Sequence, residues 1–254
     1  MEADHCQLYV GLVVNGGLSP LFRPFFRSPS PLLMRLLIPN LQAFLFVGAK
    51  ANARILDVGS GCGYFVKLMH RYGYKSAVGI DPFLDKGAER SYIHRCELQS
   101  VSERYDLILF NHSLEHMTDP ERAMRKCAEL LSRDGGILVQ VPNMDAREFA
   151  AYRQDWAWMH APYHFAIPSR RGLDAMAGRC GFKVTDAACT SRFDHYLYHD
   201  EYRRDIADND AGSIRRSVES GKFDPHRREE LARLACSLNR SLKGDWIAYY
   251  LTRA

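Results

Sequence analysis

The sequence predicts an α/β fold, a mostly parallel β-sheet with helices on both faces. Two observations carry that expectation. Short apolar runs alternate along the chain with stretches of helical period, the order that βαβ units produce. The first such run also ends directly in a cluster of glycines, as a strand does when it turns tightly into a helix. In sheets of this kind ligands bind beyond the carboxyl ends of the strands, so the residues after each strand are where chemistry is sought.

The elements follow in order. Residues 1–50 hold Gly16-Gly17 and Pro20, Pro24 and Pro29, and read as an irregular N-terminal arm with short helices. Arg54 to Val58 is a buried strand. Tyr64 to Tyr72 is helical, with Phe65, Leu68 and Met69 on one face. Ser76 to Ile80 is a second strand, ended by Asp81-Pro82, and Tyr105 to Phe110 is another. Asp119-Pro120-Glu121 is a helix start, with Asp as N-cap and Pro in the first turn. That helix buries Ala123, Met124, Cys127, Leu130 and Leu131, and is expected to stop near Gly135-Gly136. Ile137 to Val141 is the next strand. Leu173 to Arg179 is a helix closed by Gly181, Phe182 to Ala188 a strand, and Asp245 to Thr252 the final strand. A charge-rich, mostly helical insertion spans roughly 199–243.

Composition sets the outer bounds. At 254 residues, the chain makes one domain with sizeable additions. With 46% apolar and 25% charged residues it is an ordinary globular sequence, which excludes wholesale disorder. The formal net charge of +4 is too small to argue for a nucleic-acid partner, and none is expected. Seven scattered cysteines without CxxC spacing read as reduced thiols of a cytoplasmic protein. The first residues carry Glu2 and Asp4 and no basic segment, so no signal peptide is expected. The most apolar stretch, Pro31 to Val47, is interrupted by Arg35, Pro39 and Asn40 and is too short to span a bilayer. Upstream, Leu21, Phe22, Phe25 and Phe26 interleave with Arg23 and Arg27. That pattern suits either buried aromatics or a peripheral membrane contact.

The glycine turn reads Asp57-Val-Gly59-Ser60-Gly61-Cys-Gly63. Nicotinamide-binding turns space their glycines as G-x-G-x-x-G, one residue longer, and place a pyrophosphate there. Asp57 would repel a pyrophosphate and suits a cationic group such as an amino-acid ammonium. Asp81, at the end of the second strand, suits the two hydroxyls of a ribose. A ligand with an ammonium at one end and a ribose at the other has the shape of S-adenosyl-L-methionine (SAM). A glycine turn that only packs helix on strand is the structural alternative.

At these residues the chain resembles the class I SAM-dependent methyltransferases. The resemblance rests on Ile55-Leu-Asp57-Val-Gly59-Ser-Gly61-Cys-Gly63, Val78-Gly-Ile-Asp81-Pro82, Tyr105 to His116 and Leu131 to Leu138, and covers about 54–190. It is nearest the broad subgroup that includes ubiquinone-biosynthesis O-methyltransferases and methyltransferases of bacterial polysaccharide gene clusters. Asp155-Trp156, Pro162, His164, Gly181-Phe182 and Asp200 to Ile206 resemble tracts of that subgroup. His160 and Tyr163 stand where polysaccharide-cluster members often carry Asp and Arg, a departure that bears on the substrate and not on the cofactor.

The resemblance implies a Rossmann-like seven-stranded sheet with the last strand antiparallel, in a methyltransferase domain over 51–254. It implies cofactor binding by Asp57, Gly59, Ser60, Gly61, Gly63, Asp81, Pro82, Glu97, Leu98 and Asn111. Asp57, Gly59 and Gly61 would hold the methionine end, Asp81 the ribose, and Glu97 the adenine amino group. Asn111 and His112 would sit beside the sulfonium.

A hydroxyl acceptor must lose a proton as it is methylated, and a histidine suits that task. His112 ranks first as base, then His164, then His116. The alternative is that Glu115 and His116 cap the next helix and hold the loop. His112-Ser-Leu-Glu115-His116 also matches the H-x-x-E-H pattern of metalloproteases. That pattern needs both histidines on one helix, and here His112 ends a strand, so no metal is expected. Trp156, Trp158, Tyr152 and Tyr163 suit stacking on a sugar ring or planar acceptor, or plain packing of a long loop. The pairs Arg203-Arg204, Arg215-Arg216 and Arg227-Arg228 suit a phosphate or a salt-bridged face. Over 200–254, 11 basic residues stand against 10 acidic ones, which favours the latter. The expected acceptor is a hydroxyl on a bacterial glycan or sugar-nucleotide precursor, with a lipid or quinone-like small molecule as the alternative. A non-catalytic SAM-binding partner subunit is the reading from another class.

Overall fold

The computed structural model describes residues 52–71, 73–189, 191–203 and 224–254. The N-terminal arm and the middle of the insertion, with Arg204 and the Arg215-Arg216 pair, lie outside the described residues. So does the stretch Leu21 to Arg27.

Seven strands form one sheet in the order β3-β2-β1-β4-β5-β7-β6. They are β1 (Ile55–Val58), β2 (Ala77–Ile80), β3 (Ile93–His94), β4 (Tyr105–Asn111), β5 (Leu131–Pro142), β6 (Phe182–Cys189) and β7 (Trp246–Arg253). β1 pairs in parallel with β2 and β4, and β4 with β5. β7 runs antiparallel to both of its neighbours, β5 and β6. The strand order reverses at β1, so the crevice beyond β1 and β4 is the place for a ligand.

The apolar runs are continuous because both faces of these strands are covered. On one face Leu56, Ile108, Phe110, Ile137 and Val139 pack with the helices α2 (Pro120–Leu130) and α4 (Arg170–Arg179), through Met124, Cys127, Leu173 and Ala177. On the other, Ile55, Leu107, Leu109 and Leu138 pack with Val66 and Met69 of α1 (Tyr64–Arg71). Each such fully buried side chain contributes about 1.5–3 kcal/mol.

α2 begins as the sequence predicts, the Asp119 side chain accepting from the Arg122 N–H. It ends earlier than expected, at Leu130, and Gly135-Gly136 lie within β5. Leu131 pairs with Tyr105 and Gly136 with Leu107, so residues 132–135 bulge out of register. Side-chain bonds hold the bulge: Ser132 Oγ donates to Tyr105 O (2.8 Å), and Arg104 donates to Leu131 O (3.2 Å). The glycines are there for closeness. A Cβ at Gly136 would overlap the Tyr250 ring, and one at Gly135 would come within 2.9 Å of Asp106 O.

After β5 the chain forms the short helix α3 (Arg147–Tyr152) and two 3₁₀ turns, Arg153–Asp155 and Ala157–Met159. The described parts of the insertion are α5 (His195–Arg203), starting earlier than the expected 199, and α6 (Pro225–Arg240). Tyr196 and Leu197 of α5 pack on Leu231 and Ala235 of α6. A buried polar network ties α5 to the sheet. His199 Nε2 meets Asp245 Oδ2 at 2.9 Å with both side chains fully buried, and Trp156 Nε1 donates to Asp245 Oδ1 at 2.9 Å. Ala157 N donates to His199 Nδ1 (3.3 Å), so the imidazole donates through Nε2.

Candidate active site

The site begins at the turn after β1. Gly59, Gly61 and Gly63 all have positive φ, at 73°, 53° and 74°. Gly59 N and Ser60 N donate to Ile80 O of β2 (2.9 and 3.0 Å), which folds the loop over the neighbouring strand. Two of the glycines are required by close approach: a Cβ at Gly59 would come within 2.5 Å of Ser113 Cβ, and one at Gly63 would overlap Ile93 Cδ1. Gly61 faces open space, with nothing within 4 Å of a Cβ. It is the point where a ligand can approach backbone.

Asp81 holds that point in place. Its Oδ2 accepts from Gly61 N (2.8 Å) and its Oδ1 from Phe83 N (2.8 Å). Each oxygen keeps a second lone pair for a hydroxyl. Asp57 is buried, and its Oδ1 has no hydrogen-bond partner among the described residues. Burial first, and the Asp81 carboxylate second, push Asp57 up to about 7. The Ser60 hydroxyl is likewise buried and unpartnered among the described residues. A buried carboxylate oxygen and hydroxyl without partners, beside an open glycine, fit a ligand that brings an ammonium and donors of its own.

The remaining expected cofactor residues lie as follows. Pro82 is half-buried, and its carbonyl accepts from Arg95 Nε at 3.2 Å. Glu97 is exposed at the start of a 3₁₀ turn and makes no capping bond, while Leu98 is buried in the core. Asn111 ends β4, half-buried, opposite Gln140.

The chain beyond β4 lies against the glycine loop, since Ser113 Oγ donates to Val58 O at 2.5 Å. His112 takes φ 53°, costly for a residue with a Cβ, and is held by its N–H bond to Gln140 O (2.9 Å). Its ring is saturated. Nδ1 meets Glu115 Oε1 at 3.3 Å, Nε2 meets Gln140 Nε2 at 3.0 Å, and the Trp246 ring packs 4.2 Å away, centroid to centroid. The first-ranked base therefore has both ring nitrogens engaged.

Leu114–His116 form one 3₁₀ turn. The loop after β5 folds onto it, with Phe165 N and Ala166 N donating to Glu115 O at 2.8 and 3.3 Å. This brings His116 and His164 together, ring centroids 4.6 Å apart, with His160 5.3 Å from His164. Burial lowers His164 to about 4, against the opposing pull of Glu115. The tryptophans of this loop are packing residues. Trp156 is fully buried, and Trp158 lies among His195, Tyr198, His199 and Trp246. Tyr163 and Phe165 are exposed.

The sequence reading overlooked Gln140 and Trp246. Gln140 left a signal, the one polar side chain in the apolar run Ile137 to Val141. Trp246 left none, because its contact with His112 depends on β7 inserting antiparallel beside β5.

A family model described as a methyltransferase domain matches residues 31–187, more than half of the chain. The tRNA U34 carboxymethyltransferase of Syntrophotalea carbinolica is 27% identical over 155 residues, covering 55% of this chain and 47% of that protein. The ubiquinone biosynthesis O-methyltransferase of Xanthomonas oryzae pv. oryzae is 33% identical over 113 residues, covering 39% of this chain and 47% of that protein. The chain thus spans about half the length of the curated relatives it matches. Among solved structures, a SAM-dependent methyltransferase from Archaeoglobus fulgidus superposes with a TM-score of 0.53. Identity is 18%, over 92% of this chain and 98% of that one, a likeness of fold alone. With the glycine loop, the sheet order and the matched family model together, this chain belongs to the methyltransferase-domain family, as a class I member whose cofactor is S-adenosyl-L-methionine.

Proposed function

We propose that this chain transfers a methyl group from SAM to a hydroxyl oxygen of a small-molecule acceptor. The observation that carries the reading is the seam at Ser113. Its bond to Val58 O and its close approach to Gly59 support a site in which the turn carrying His112, Glu115 and His116 faces the glycine loop. When bound, SAM supplies an electrophilic methyl on a sulfonium. Asp57 and the glycine loop would hold its methionine end, and Asp81 its ribose. His112, fixed between Glu115 and Gln140, would orient the end of β4 beside the donor. His116 and His164 would line the acceptor side and take part in removing the hydroxyl proton.

A phenolic or quinone-like acceptor draws support from the ubiquinone biosynthesis O-methyltransferases among the relatives, and the exposed Tyr163 and Phe165 suit a flat ring. A glycan or sugar-nucleotide acceptor draws none from them. The test is methyl transfer from isotope-labelled SAM over a panel of phenols, catechols and sugar nucleotides. Labelled methyl ether on a phenol or catechol supports the quinone-like class, and on a sugar nucleotide the glycan class. SAM binding with no labelled product on any acceptor would favour a non-catalytic partner subunit. Full SAM binding with turnover reduced at least about tenfold is expected for His112→Ala. Unchanged turnover would remove His112 from the mechanism.

A further inference from the structure

One group at the site is arranged for more than proton transfer. Glu115, His116 and His164 each offer a ligand atom, and these atoms all lie within 4.8 Å of one another. They come from two chain segments that the Phe165 and Ala166 amides lock together on Glu115 O. The Glu115 side chain is fully buried. Its Oε1 is held by His112, and its Oε2 has no hydrogen-bond partner among the described residues. A buried carboxylate oxygen without a partner is costly unless something cationic completes it.

Each histidine has one ring nitrogen taken by a backbone carbonyl. His116 Nδ1 lies 2.9 Å from Tyr163 O, and His164 Nδ1 lies 2.9 Å from Trp158 O. A carbonyl only accepts, so each Nδ1 carries the proton and each Nε2 keeps its lone pair. Backbone carbonyls that fix the tautomer in this way are the usual outer support of metal-binding imidazoles. Finally, the group is closed on one side and open on the other: Glu115 is buried, His164 half-buried and His116 exposed.

We propose that Glu115, His116 and His164 form a binding site for one divalent transition-metal ion, with its open positions available to the oxygen of the acceptor. One carboxylate and two imidazoles suit Zn²⁺, Fe²⁺, Mn²⁺ or Co²⁺ better than Mg²⁺ or Ca²⁺, which prefer all-oxygen shells. A bound ion of this kind lowers the pKa of a coordinated hydroxyl, whose proton then leaves to solvent on the exposed His116 side. The role in methyl transfer rests on the reading under Proposed function, while the ion site itself does not. His112 becomes a positioning residue in this account, steering Glu115 through Oε1.

The site is tested on the full chain, stripped with a chelator and titrated with Co²⁺, followed by visible ligand-field absorption and calorimetry. SAM binding is measured on the same samples. One Co²⁺ per chain is expected, with affinity falling about 100-fold or more in His116→Ala, His164→Ala and Glu115→Gln, and SAM affinity staying within a few-fold. Because Glu115 is buried, Glu115→Gln is judged only if its circular dichroism is unchanged; the two histidine variants carry the test otherwise. Absence of saturable Co²⁺ binding, or binding that survives both histidine variants, overturns the site and leaves the methyl-transfer reading standing. Co²⁺ binding without SAM binding would do the reverse.

Discussion

At the proposed cofactor site, Asp57 and Gly61 each make a prediction. Asp57 holds its proton up to about pH 7 because burial and Asp81 disfavour the carboxylate. An unfolded Asp loses its proton near pH 4. Below that value both states are protonated and Asp57 does not tilt the balance. As the pH rises from about 4 to 7, the unfolded chain sheds the proton first, so the ligand-free protein loses stability across that window. An ammonium ligand favours the ionised form. Calorimetry should therefore show SAM affinity rising by up to about tenfold per pH unit between pH 5 and 7 and levelling off near neutrality. Asp57→Asn should flatten that profile, and an unchanged slope in the variant would show that another group is responsible. At Gly61, a β-branched side chain would have to adopt φ 53° and fill the open space beside the loop. Gly61→Val is expected to abolish detectable SAM binding in the same assay.

At the level of elements, the glycine loop depends on the strand it packs against. A Cβ at position 63 overlaps Ile93 Cδ1, the first residue of β3. Gly63→Ala should cost about 1–3 kcal/mol in urea unfolding, and adding Ile93→Ala should recover part of that loss if the clash is the cause. Additive losses would point to the backbone angle instead. Strands β1, β2, β4, β6 and β7 and helix α2's start were legible because local rules decide them: apolar runs, glycine turns and an Asp-Pro cap. The end of α2 was not. Gly135-Gly136 look like a helix stop, but their small size serves close contacts with Asp106 and Tyr250 from other strands. The two-residue β3 was too short to leave a pattern. The histidine group was legible only as candidates along the chain, because its assembly depends on the loop after β5 closing over the turn after β4.

For the whole molecule, the opening expectation of one domain with additions becomes a seven-stranded sheet with the described insertion helices packed on each other and pinned at the start of β7. The pin is the His199–Asp245–Trp156 network, which joins α5, the start of β7 and the loop after β5. Removing one partner leaves the others buried and without their hydrogen bonds. His199→Ala should lower unfolding stability by about 3–5 kcal/mol, with a matching fall in Tm. A change within about 0.5 kcal/mol would show that the insertion is held by something else. The same loop carries His164, so this variant should also weaken the acceptor side while sparing the glycine loop. The methyl transfer proposed for this chain requires SAM at the glycine loop. Isothermal titration of the full chain with SAM at neutral pH should show one site per chain that disappears in Gly61→Val. Absence of binding, or binding that survives that substitution, would contradict it.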